Sequence, residues 1–83
     1  MLSAKRMAKA LEQAGVKVVG FEESRDPKVM DGEVSLENSL SVQVGSDYAC
    51  LCRLKDDDID YLLETEELYD VAHFAEEVLK FIP

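Results

Sequence analysis

A run of strict alternation in the middle of the chain constrains its fold more than any other feature. Val34, Leu36, Leu40, Val42 and Val44 all occupy even positions, whereas Glu33, Ser35, Glu37, Ser39, Ser41 and Gln43 occupy odd ones. Successive side chains of a β-strand point to opposite faces, so this period puts the aliphatic residues on one side of a sheet and leaves the other side wet. Asn38 breaks the apolar row, so a bulge or turn near 37–39 is the place where the run can split in two.

An apolar sheet face has to be covered by another layer. Two segments have the helical spacing to do so. Over residues 2–14, Met7, Leu11 and Ala14 recur with Ala4 and Ala8 beside them, after Ser3 as N-cap and before Gly15 as the residue that closes the helix. Over residues 70–82, Val71, Phe74, Ala75, Val78, Leu79 and Ile82 form an apolar stripe behind Asp70 as N-cap.

Between them, residues 16–23 read as a strand in which Gly20 marks a weak point or a bulge. Asp26-Pro27 and Asp31-Gly32 are turn signals within a loop over 24–32. Gly45-Ser46-Asp47 reads as a hairpin turn into a return strand over 48–54 that is apolar on both faces. A second turn at Asp56-Asp57-Asp58 leads to a strand over 59–64, with Ile59, Tyr61 and Leu63 expected on one face. The short turns favour antiparallel pairing. The expected fold is therefore α+β: a two-layer sandwich of three to four antiparallel strands with an N-terminal and a C-terminal helix, in the order α-β-β-β-β-α.

With 83 residues and 47% hydrophobic content, residues 1–83 make one small domain and leave little room for a deep catalytic cleft. No apolar run approaches the ~20 residues that span a bilayer. Residues 1–20 contain Lys5, Arg6, Lys9, Glu12 and Lys17 and lack the apolar core of a secretory signal. Cys50 and Cys52 are too close in sequence for an unstrained disulfide and read as reduced thiols, which points to a cytoplasmic protein.

Several residues invite chemical readings. Asp56, Asp58, Asp60 and Glu67 match positions of a calcium-binding loop, but Tyr61 stands where that loop needs glycine for its sharp turn. Cys50, Cys52 and His73 supply three soft ligands where a zinc site needs about four. As packed side chains the two cysteines need no metal, and nearby acid disfavours the thiolate that redox chemistry would use. His73 lies between Asp70 and Glu77 on the polar side of its helix, with no nucleophile to serve. No glycine-rich phosphate loop is present. The sequence points to a non-enzymatic protein that needs no cofactor.

Charge is the most telling property. The formal net charge is −9, which disfavours contact with a nucleic-acid backbone. Residues 56–77 hold ten carboxylates and neither Lys nor Arg, whereas residues 1–20 hold four basic residues and one acidic. Lys5, Arg6 and Lys9 sit early in their helix, where the macrodipole opposes them by a few tenths of a kcal/mol each. The core or carboxylates from elsewhere must then hold that helix. These features suggest a protein-interaction module that engages a basic partner through Asp56, Asp57, Asp58, Asp60, Glu64, Glu66, Glu67 and Asp70. The alternative is a ligand- or metal-binding module at the Asp-rich turn 56–60. No membrane contact is expected, and the chain is read as a monomer or a weak homodimer pairing through residues 16–23 or across an exposed helix face.

Overall fold

The computed structural model describes residues 3–24, 32–45, 48–65 and 70–82. Helix α1 (Ala4–Ala14) is followed by strands β1 (Val18–Glu23), β2 (Gly32–Leu36), β3 (Leu40–Val44), β4 (Ala49–Lys55) and β5 (Asp58–Thr65), and then by helix α2 (Val71–Leu79). The strands form one antiparallel meander in the order β1-β2-β3-β4-β5.

The α+β class, the layers and the flanking helices agree with the sequence reading; the number of strands does not. Five strands replace the expected three to four because the alternating run over 33–44 is two strands. Asn38 and Ser39 adopt positive φ of 62° and 63°, which reverses the chain over residues 37–39. Val34 then pairs with Val42, and Ser35 with Ser41. Even residues face even residues across this hairpin, so the alternation runs through the turn undisturbed.

The helices pack on the face that carries Val34, Leu36, Leu40, Val42, Val44, Ala49 and Leu51, and these residues form one core with Ala4, Met7, Ala8 and Leu11 of α1 and Phe74, Ala75 and Val78 of α2. No described element covers the opposite face.

Helix α1 is closed at both ends by local sequence. The Ser3 hydroxyl accepts a bond from the Arg6 amide at 3.2 Å. Gly15 takes φ of 101°, its amide donates to the Glu12 carbonyl, and the Val16 amide donates back to Leu11. This is the paired closing pattern that a left-handed glycine permits. The unfavourable cations are offset from outside the helix, because Glu23 of β1 accepts a bond from the Lys5 amide at 3.1 Å. A carboxylate at a helix N-terminus is favourable, and here it comes from a neighbouring strand.

Two bulges displace the register. The one between Val18 and Gly20 falls where Gly20 marked a weak point. The other was not expected. Leu51 pairs with Leu63 but Cys52 pairs with Tyr61, leaving Leu62 as an extra residue. Ile59 and Tyr61 therefore lie on the uncovered face, while Leu63 turns to the core side, and the three do not share one face as their spacing suggested.

Candidate functional site

Strands β4 and β5 form a hairpin whose tip is exposed. Its connection is the Asp56-Asp57 pair, with Asp56 at φ of 54°. Positive φ suits the first central position of a tight hairpin, and aspartate tolerates it better than most residues. At this tip Lys55, Asp56, Asp57, Asp58 and Asp60 line an open depression of about 460 Å³. All of them are exposed.

The register sorts the tip into two unlike faces. Arg53 stands opposite Asp60, and Lys55 opposite Asp58, on the same side of the sheet as the helices. Opposite charges directly across a ladder are mildly stabilising. On the other side Leu54 stands opposite Ile59, with Tyr61 one pleat further along. These three are 57%, 40% and 57% exposed.

The structure brings together only part of the acidic set. Asp56, Asp57, Asp58 and Asp60 share the tip. Glu64 lies on the uncovered face opposite Cys50. Asp70 is occupied as the N-cap of α2, where its carboxylate accepts a bond from the Ala72 amide at 2.9 Å. Glu66 and Glu67 lie outside the described residues, as do Asp26-Pro27 and Ser46-Asp47 of the expected turns. Among the described residues no three His, Cys, Asp or Glu side chains converge as a metal site.

Cys50 and Cys52 occupy the uncovered face yet are only 5% and 1% exposed. Cys50 is flanked across its neighbouring strands by Gln43 and Glu64, and Cys52 by Ser41 and Tyr61. The two cysteine sulfurs are 3.7 Å apart, and Cys50 Sγ also lies 3.7 Å from Gln43 Oε1. Both are free thiols. Burial is the main reason that both pKa values rise. For Cys52 the Cys50 thiol and then Glu33 and Glu64 add to the effect, and its pKa is pushed up to about 12.

Chemistry that needs a thiolate is therefore disfavoured here. Moving a thiol from its ordinary 9.0 to about 12 lowers its thiolate fraction at neutral pH about a thousandfold. Native Cys52 should react with an alkylating reagent far more slowly than it does in denaturant, as read by peptide mass mapping. Equal rates in the two states would contradict this burial. The linkage has a sign: the folded state keeps the proton longer, so its advantage holds below about pH 9 and is lost as pH rises towards 12. The fall in melting temperature over that window should be shallower for Cys52→Ala.

His73 is exposed on α2 with its Nε2 3.8 Å from Glu77 Oε1, and Lys80 Nζ lies 3.1 Å from the same oxygen. This is an ordinary surface cluster.

No family model matches the chain, and neither a curated protein nor a solved structure matches it.

Proposed function

We propose that the chain is a non-enzymatic protein-interaction module whose acidic hairpin tip engages a basic partner surface. One observation carries this reading: Asp56, Asp57, Asp58 and Asp60 gather around an open depression with Lys55 as the lone cation of its lining. Asp58 and Asp60 each face a cation across the ladder, but Asp56 and Asp57 at the turn do not, and exposed like charges there repel one another and add nothing to packing. Against a basic surface the same charges raise the association rate and fix orientation. The two reduced, buried thiols suit a cytoplasmic setting. Among the described residues, no helix is long and apolar enough to cross a membrane.

The reading makes a thermodynamic prediction. Salt screens exposed charges over a Debye length of about 8 Å at physiological ionic strength. If repulsion at the tip is held for a partner, added salt should raise the melting temperature at pH 7. Asp56→Asn/Asp57→Lys should raise it as well and should reduce the salt dependence, asparagine keeping the positive φ of Asp56 without strain. A melting temperature that falls steadily with salt would mean the charge is neutralised within the molecule, and the partner-facing tip would be abandoned. Capture of partners from the native cell at low and high salt supplies the binding arm. A yield equal in the two, and equal for wild type and the Asp56→Asn/Asp57→Lys variant, would exclude an electrostatic interface.

A further inference from the structure

The uncovered sheet face is a surface apart from the acidic tip, with a composition of its own. Its apolar part is the contiguous trio Leu54, Ile59 and Tyr61, all well exposed. A sheet buries both faces when a second layer is available, and exposed apolar groups clustered together mark a contact surface more often than scattered ones do.

The charges on this face identify what the layer can be. Glu22 and Glu33 stand directly opposite each other on β1 and β2, and Glu64 lies across the sheet on β5. Like charges directly opposed on a ladder are destabilising. Among the described residues nothing on the face relieves them, because Arg53 and Lys55 point to the helix side and the described strands hold no other Lys or Arg. Lys17, just before β1, is held by Glu37 at 3.2 Å.

A second copy of the chain cannot cover this face well. Each copy would bring its own row of Glu22, Glu33 and Glu64 into one interface, and like-charge juxtaposition is strongly unfavourable there. The complement is an apolar stripe flanked by cations. Residues one pleat apart on a strand, such as Ile59 and Tyr61, are separated by about 6.8 Å. Apolar side chains one turn apart on a helix are separated by about 6 Å along its axis. A helix can therefore seat successive apolar residues on this trio while its flanking Lys or Arg reach Glu33 and Glu64.

We infer that the sheet face away from the helices, with Leu54, Ile59 and Tyr61 towards the hairpin tip and Glu22, Glu33 and Glu64 in a row across it, docks an amphipathic basic helix of a partner protein as a third layer. This rests on the reading of the chain as an acidic interaction module, and it moves the main contact from the tip to the sheet.

The probe is a synthetic peptide of Leu and Lys in helical periodicity, titrated into the full chain at physiological salt and followed by amide NMR. Shifts are expected across 52–54 and 59–64, and across Glu22 and Glu33. The Ile59→Ser/Tyr61→Ser variant should bind at least about tenfold more weakly, as loss of interface anchors does. Both side chains are exposed, so the variant should fold; if it does not, the shift map of the wild type decides, and shifts confined to 55–58 overturn the proposal.

Equal binding by a Leu/Glu peptide, or by a Leu/Lys peptide with strand periodicity, overturns the basic or the helical part respectively. If Asp56→Asn/Asp57→Lys abolishes binding while Ile59→Ser/Tyr61→Ser leaves it intact, the sheet proposal fails and the acidic-tip reading stands. If neither variant changes binding, both fail.

Discussion

Val42→Asp is expected to leave the chain without a cooperative unfolding transition at room temperature. Val42 is fully buried on β3, the middle strand of five. It stands opposite Val34 on one side and Leu51 on the other, beneath the two helices. The nearest cation on that face, Arg53, stands one pleat away opposite Leu40 and is exposed, so pairing with it would not return the carboxylate to water. The aspartate must either stay charged at a cost of several kcal/mol or take up a proton and still lack a hydrogen-bond partner. At 0.05–0.15 kcal/mol per residue, a domain of this length holds about 4–12 kcal/mol in all, so one such cost consumes most of it. Val42→Ala, which only removes apolar burial, should cost about 1.5–3 kcal/mol and keep the transition. Urea melts followed by circular dichroism separate the two outcomes. An unchanged midpoint for Val42→Asp would mean that β3 is peripheral.

Gly32→Val has the second largest expected effect, for a geometric reason. A Cβ at Gly32 would lie 2.6 Å from Ala4 Cβ and 2.9 Å from the Glu22 carbonyl oxygen. Neither atom can rotate away, since one is the first atom of its side chain and the other is backbone. Helix α1 would have to lift from β2, disturbing the seating of Ala4, Met7, Ala8 and Leu11. Overpacking of this kind costs about 1–3 kcal/mol, and the branched valine places it at the upper end. Gly20 is the control: a Cβ there meets nothing within 4 Å. Gly20→Ala should be neutral or stabilise by about 0.5 kcal/mol, because glycine in a strand loses more backbone entropy on folding. Comparable losses at the two glycines would refute the close contact between α1 and β2.

These two residues show where sequence reasoning reached and where it stopped. Val42 was legible, because period-2 alternation and burial are the same fact seen in one and in three dimensions. The helix caps were legible for a similar reason, since Ser3, Gly15 and Asp70 act on backbone within a few residues of themselves. Gly32 was read only as part of a turn, and its reason for being glycine is a helix distant in sequence. The strand break at 37–39 left its mark in Asn38, but the even-to-even pairing kept the alternation intact and made two strands look like one.

The candidate surface divides in the same way. The sequence by itself determined the density of carboxylates over 56–77 and the absence of cations among them, because charge is carried by each residue wherever it folds. Only the tertiary structure decided which carboxylates act together, since that depends on register. Pairing odd with even residues across β3 and β4 put Cys50 and Cys52 on the side away from the helices. The extra residue at Leu62 then moved Ile59 and Tyr61 onto that same side. A shift of one residue exchanges the faces of everything beyond it, and no local pattern in the sequence announces such a shift. The opposition of Arg53 to Asp60 and Lys55 to Asp58, and the exposure of Leu54, Ile59 and Tyr61 beside Glu64, follow from that register and not from composition.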